Sequence, residues 1–185
     1  MGMSGPGPGG PLYAVGFSTR TVSELVALCR EAGVRAVVDV RTVPRSRHTP
    51  QWNRDEAAEA LRAHGLDYHH LPVLGGFRKP RPDSPNIGWR NPAFRGYADY
   101  MATPAFATGL DELIRLGTAI PTAFACTEAV PWRCHRSLIA DALTVRGIEV
   151  RHLVHSGTPP PVHVPTSFAR VAGTALTYPD PEALL

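Results

Sequence analysis

Short strand-like runs alternate with amphipathic stretches along most of the chain. The predicted strands cover residues 12–17, 34–40, 67–71, 119–125 and 148–154. The run at residues 34–40 is rich in valine, which is typical of a strand buried on both faces. This alternation predicts an α/β fold, a single-domain layered sandwich whose largely parallel sheet is flanked by helices.

Helix-start signals lie between the predicted strands. Thr21 and Glu24 have capping-box spacing, and Gly33 marks where that first helix ends. Asn53 precedes a second helix with a glutamate three residues later. The remaining predicted helices begin at Pro92, Pro104 and Ser137.

Composition divides the chain into three parts. Residues 1–11 are rich in glycine and proline and predict a flexible tail, residues 12–155 form the α/β domain, and residues 156–185 form a Pro-rich extension. We expect that extension to pack loosely. The connection at residues 72–91 is long and rich in proline and glycine, which in a compact domain usually indicates function.

Charge and hydropathy limit the class of protein. No apolar run has the roughly 20 residues of a membrane helix, and the amino terminus lacks the pattern of a signal peptide. We therefore expect a cytoplasmic protein without membrane contact. The net charge is +3, but residues 35–54 and residues 78–95 each carry about +4, so the basic side chains are clustered.

Reactive side chains concentrate in one short segment, residues 126–136. It holds Cys126, Cys134, Glu128, His135 and two arginines, and it connects a predicted strand to a predicted helix. Ligands of open α/β sheets bind at the carboxyl ends of the strands, where such a connection lies. This segment is therefore the first candidate for a functional site.

Several interpretations of residues 126–136 remain open. The segment can be an anion site at a helix amino terminus, with Arg136 binding the anion and Glu128 as a catalytic carboxylate. Alternatively, Cys134 is a nucleophile whose pKa is lowered by its cationic neighbours and by the helix. A metal site of Cys126, Cys134 and His135 is less favoured because the spacing lacks paired-cysteine zinc motifs. A rigid turn with buried thiols is the structural alternative.

Further candidates follow the second and third predicted strands. Arg41 follows Asp39 at a strand end, where it would bind an anion or form a structural ion pair. Successive side chains of a strand face opposite ways, so only one of two adjacent histidines can enter a shared site. The other candidate ligand-binding residues are Arg45, Ser46, Arg47, His70, Gly75 and Gly76.

Five segments together resemble the bacterial and archaeal proteins grouped as domain of unknown function 488. These segments are residues 13–20, 39–47, 68–76, 94–101 and 126–136. The resemblance implies an α/β fold. It implies no activity, so function is argued from the residues.

The favoured hypothesis is an enzyme that acts on a phosphate-bearing ligand, either a nucleotide or a nucleic-acid component. Its catalytic residues would be Glu128, Cys134 and His135, and its arginines would bind the phosphate. One alternative is a non-catalytic nucleic-acid-binding module that stacks bases on Trp52, Trp89 and Trp132. Another is a redox protein that uses Cys126 and Cys134. The residues define neither a cofactor nor an oligomeric state.

Overall fold

A five-stranded parallel sheet forms the centre of the structure, a computed structural model that describes residues 9–184. Its strands are β1 (Leu12–Gly16), β2 (Ala36–Asp39), β3 (Asp67–His70), β4 (Thr122–Cys126) and β5 (Val150–Leu153). Their spatial order is β3-β2-β4-β1-β5, so β4 lies between β1 and β2. The predicted α/β sandwich is confirmed. Residues 1–8 of the predicted tail lie outside the described residues.

Five helices cover the two faces of the sheet. They are α1 (Val22–Glu31), α2 (Arg54–Ala63), α3 (Pro92–Tyr100), α4 (Pro104–Ala119) and α5 (Arg136–Val145). One apolar cluster joins α1 and α2 to one face, and a second joins α3, α4 and α5 to the other. Between residues 9 and 184, none of the helices is long and apolar enough to cross a membrane.

The helix starts follow the predicted caps, with one exception. Thr21 and Glu24 form the predicted capping box of α1. Asn91 and Thr103 each accept a hydrogen bond from a backbone amide at the start of α3 and α4. Asn53 precedes α2, but its Oδ1 accepts from the Ser46 amide at 2.7 Å instead of from a helix amide. Asn53 therefore fixes the preceding loop, a contact that helix spacing alone does not predict.

The boundary between α4 and β4 differs from the predicted one. We expected a strand over residues 119–125, whereas α4 continues to Ala119 and β4 covers Thr122–Cys126. Pro121 explains the change, because a residue that precedes proline is disfavoured in the helical conformation. The helix consequently stops before Ile120, and the strand begins after the proline.

One buried carboxylate organises the long connection at residues 72–91. Asp99 of α3 accepts hydrogen bonds from the Arg81 amide at 2.8 Å, the Ser84 hydroxyl at 2.6 Å and the Asn86 side-chain amide at 2.8 Å. A short 3₁₀ turn, Pro72–Leu74, begins the same connection. The connection is irregular but ordered by these contacts.

The chain after residue 155 is mostly exposed and is attached to the domain through Tyr178. It contains an antiparallel hairpin, β6 (Arg170–Ala172) and β7 (Ala175–Thr177), and a final 3₁₀ turn, Pro181–Leu184. Tyr178 is fully buried, and its hydroxyl donates to Asp141 of α5 at 2.9 Å. The sequence does not indicate this attachment, because the partners of Tyr178 lie far away in the sequence.

Candidate functional site

A cleft opens at the carboxyl ends of β2 and β4. The strand register places the end of β1 beside Cys126 and the end of β2 beside Ala125, so the loops that leave these strands meet. The cleft encloses about 450 Å³. The predicted site residues that line it are Arg41, Arg45, Ser46, Gly76, Glu128, Cys134 and His135.

The loop between β4 and α5, residues 127–135, crosses directly over the end of β1. The amides of Phe17 and Ser18 donate to the carbonyl oxygens of Cys126 and Thr127 at 2.8 and 2.6 Å. A Cβ atom on Gly16 would clash with the Glu128 carbonyl oxygen. Only glycine permits this approach, and it brings the β4–α5 loop into the cleft wall.

Arg136 holds the β4–α5 loop from beneath instead of lining the cleft. Its side chain is 1% exposed. Its guanidinium donates to the carbonyl oxygens of Val15, of Glu128 at 3.0 Å and of Ala129 at 3.3 Å. Burial lowers the pKa of this guanidinium. The structure therefore places Arg136 in a loop-supporting position and not at the predicted anion site.

Cys126, Cys134 and His135 form what we call the thiol–imidazole cluster. Cys126 ends β4, and Cys134 and His135 directly precede α5. His135 Nδ1 lies 3.8 Å from Cys126 Sγ and 3.7 Å from Cys134 Sγ, and all three atoms lie within 4.8 Å of one another. Both thiols are buried, at 6% and 4% exposure. The cluster forms part of the cleft wall.

A hydrogen bond between the two thiols shifts their pKa values in opposite directions. The hydrogen bond from Cys126 is the main cause that lowers the pKa of Cys134 well below its usual value, and His135 adds to it. The same hydrogen bond, together with burial, raises the pKa of Cys126. The first proton of the pair is therefore lost at a lower pKa than that of an ordinary thiol.

Two neighbours fix the orientation of the His135 ring. The ring packs against Tyr97 with centroids 4.8 Å apart, and a Cβ atom on Gly76 would lie 3.2 Å from Nδ1. Among residues 9–184, the buried His135 Nε2 has no hydrogen-bond partner. The polar contacts of this imidazole are therefore directed through Nδ1 toward the thiols.

Arg41 forms the structural ion pair that the sequence left as the alternative to anion binding. Its Nε donates to the Asp39 carboxylate at 2.9 and 3.2 Å, and its Nη2 donates at 2.7 Å. Nη2 also donates to the Trp52 carbonyl oxygen at 2.6 Å. Arg41 lies at the cleft, but these contacts bind most of its donors to the protein itself.

The two arginines of the basic loop after β2 differ in their position relative to the cleft. Arg45 lines the cleft and Arg47 does not, although both side chains are exposed. Ser46 also lines the cleft, but its hydroxyl oxygen accepts from the amides of His48 and Thr49 at 3.1 and 3.3 Å. Arg45 is therefore the residue of this loop that is best placed to meet a ligand.

His70 and Gly75 lie behind the cleft and support it. His70 Nε2 donates to the Arg41 carbonyl oxygen at 2.8 Å. A Cβ atom on Gly75 would clash with Thr42, so this glycine permits close packing of two loops rather than contact with a ligand. The Thr42 hydroxyl also donates to the Gly76 carbonyl oxygen at 3.0 Å.

Two of the cleft residues that were not ligand-binding candidates from the sequence are notable. Arg133 lines the cleft from the β4–α5 loop, and its charge was a usable signal. Phe77 has a positive φ of 60° and a side chain that is 91% exposed. A bulky residue rarely adopts this conformation, and such strain often lies at functional sites. Nothing in the sequence around Phe77 indicates it.

The three tryptophans occupy different environments. Trp52 is fully buried against Phe17, with ring centroids 4.8 Å apart, so it offers no surface on which a base could stack. Trp89 packs between Phe94 and Phe168. Trp132 is 74% exposed. Of the stacking residues considered from the sequence, Trp132 keeps a freely accessible ring.

Comparison with known proteins gives one match. A family model described as domain of unknown function DUF488 matches residues 21–143, which include β2, β3, β4 and the whole β4–α5 loop. Searches of curated proteins and of solved structures found no significant match. Because the family model covers more than half of the chain, this chain belongs to the family of domain of unknown function DUF488.

Proposed function

We propose that the protein is an enzyme that acts on a phosphate-bearing ligand, a nucleotide or a nucleic-acid component, bound in the cleft. The observation that carries this proposal is the convergence of Arg45 and Arg133 with Glu128 and the thiol–imidazole cluster in one cleft. Two guanidinium groups can bind an anion, and a carboxylate and the thiol–imidazole cluster in the same cleft can act on it chemically.

We expect the guanidinium groups of Arg45 and Arg133 to bind the phosphate of the ligand. Within residues 9–184, neither guanidinium takes part in an ion pair, whereas Arg41 is paired with Asp39. An arginine without an internal partner can donate two parallel hydrogen bonds to a phosphate. Arg45 and Arg133 come from different loops, and both line the cleft.

Glu128 has the position expected of a catalytic carboxylate. It is exposed and lines the cleft, while its backbone is held by Arg136 and by the close approach to Gly16. A carboxylate on a fixed backbone can accept a proton from a bound water or ligand hydroxyl. The thiol–imidazole cluster lines the same cleft and supplies the second reactive group.

Ligand binding is tested by thermal shift with inorganic phosphate, nucleotides and the matching nucleosides. We expect a nucleotide, but not its nucleoside, to raise the melting temperature of the wild-type protein. Arg45→Ala should weaken this binding about 10-fold to 100-fold, the loss expected for a charge-assisted hydrogen bond. Arg47→Ala is the matched control, because it removes the same charge from the same loop outside the cleft.

The outcome for the two arginine variants separates the candidate functions. An equal loss in Arg45→Ala and Arg47→Ala would contradict a defined phosphate site and favour diffuse, salt-sensitive attraction of a polynucleotide. Once a turnover assay exists, Glu128→Gln should retain nucleotide binding and lose about 10²-fold to 10⁴-fold in kcat. Unchanged kcat would remove Glu128 from the mechanism.

A further inference from the structure

We propose that the thiol–imidazole cluster is a metal site, in which Cys126 Sγ, Cys134 Sγ and His135 Nδ1 bind a divalent ion of the zinc type. The fourth coordination position faces the cleft and is open to water or to an oxygen of the ligand. The inference goes beyond the proposed function, because the three donor atoms define the site whatever ligand the cleft binds.

The spacing of the donors fits tetrahedral zinc. Zn–S bonds of about 2.3 Å and Zn–N bonds of about 2.0 Å, at tetrahedral angles, place sulfur and nitrogen about 3.5 Å apart. The two sulfur-to-Nδ1 distances are 3.8 and 3.7 Å. The two sulfurs, which lie within 4.8 Å of each other, would approach to about 3.8 Å in a tetrahedral site, so an ion enters with side-chain movements of about 1 Å or less.

The chemistry of the donors favours zinc over harder ions. Two thiols and an imidazole suit zinc, whereas magnesium and calcium prefer carboxylate, carbonyl and water oxygens. Three protein ligands and one open position are typical of catalytic zinc sites, while structural sites close the fourth position with a further side chain. Because the cluster forms part of the cleft wall, the open position is accessible from the cleft.

The surroundings hold the donors in place. The Arg136 amide lies 3.5 Å from Cys134 Sγ and donates to it, a contact that would orient a metal-bound thiolate. Tyr97 and Gly76 fix the His135 ring with Nδ1 toward the thiols. Cys126 is held by the strand register of β4 against β1. Each donor side chain therefore has a contact of its own that holds it in position.

Elemental analysis and zinc titration of the full chain test the site directly. We expect about one zinc per chain in the wild-type protein, and at least about 100-fold weaker binding in Cys134→Ser and His135→Gln. Cys29→Ala is the matched control, because Cys29 is a fully buried thiol in α1 outside the cluster. The control should bind zinc as the wild-type protein does.

Cobalt titration of the wild-type chain keeps the test independent of variant folding. We expect a thiolate-to-cobalt charge-transfer band and visible absorption typical of tetrahedral cobalt. Absence of the charge-transfer band, unchanged zinc affinity in folded Cys134→Ser, or a Cys126–Cys134 disulfide in zinc-supplied protein would each overturn the proposal. No phosphate ligand is used, so failure of the phosphate site leaves this result unaffected.

Discussion

At the scale of single residues, the role of an arginine side chain depends on which groups the fold places around it. Arg41 and Arg136 were expected to bind an anion, yet the first is bonded to Asp39 and the second to three backbone carbonyl oxygens. Sequence shows that a guanidinium is present but not which groups surround it. Among residues 9–184, neither Arg45 nor Arg133 takes part in an ion pair.

The sequence predicts the thiol–imidazole cluster only in part, because only two of its three residues are adjacent in the chain. Cys134 and His135 are adjacent in the sequence, so their participation in one site could be expected. The inclusion of Cys126 depends on how residues 127–135 fold back over β1, and Gly16 makes that path possible. Cysteine spacing alone therefore does not show that the three donor atoms lie close together.

Backbone strain at Phe77 gives a prediction for stability. Because the φ of Phe77 is 60°, a residue with a Cβ atom is strained there and glycine is not. We expect Phe77→Gly to have a free energy of unfolding about 1 kcal/mol higher than Phe77→Ala, as measured by urea denaturation. Both variants lack the exposed ring, so equal stabilities would contradict the strain.

At the scale of elements, helix starts were predictable where a capping side chain acts within its own helix. Thr21 forms both hydrogen bonds of its capping box, as the spacing indicates. Asn53 has a similar sequence signal but bonds to Ser46, and Pro121 moved the start of β4. A capping signal is reliable only when no residue from another loop competes for the same donor or acceptor, whereas the effect of Pro121 is local.

Thr21→Ala tests how much the capping box contributes to the domain. Loss of the side-chain acceptor leaves the Glu24 amide without its partner, so we expect the free energy of unfolding to fall by about 1 kcal/mol. Thr108→Ala is the control, because Thr108 is exposed within α4 and caps no helix. A similar loss in both variants would show that the cap is not the cause.

At the scale of the whole molecule, a chain of buried polar groups joins the C-terminal segment to the sheet. His152 of β5 lies 2.9 Å from His163, His163 lies 2.7 Å from Asp141, and Asp141 also accepts from Tyr178. Composition predicted a Pro-rich extension here. The side chains that attach it to α5 and β5 became evident only in three dimensions.

This chain of groups predicts a loss of stability in acid. Burial, His163 and Arg136 lower the pKa of His152 to about 4. An unfolded histidine titrates near 6.5, so between about pH 6.5 and pH 4 the unfolded state binds the extra proton. The free energy of unfolding should therefore fall as the pH drops through this window, by on the order of 2 kcal/mol after allowance for partial exposure.

Denaturation at pH 7.5 and at about pH 5 measures this effect. The difference between the two pH values should be smaller in His152→Gln, because glutamine does not titrate. His155→Gln is the control, because His155 is exposed beyond the end of β5 and should keep the wild-type difference. An unchanged difference in His152→Gln would assign the acid sensitivity to another group.

The position of β4 between β1 and β2 also sets an order of events during synthesis. The two earlier strands do not pair with each other, and their shared partner ends at residue 126 of 185. Until that residue has left the ribosome, both strands present an unpaired edge, and such edges invite association with other chains. The nascent protein is consequently most exposed to aggregation before β4 emerges, and the segment that joins the two halves of the sheet also delivers the candidate metal ligands.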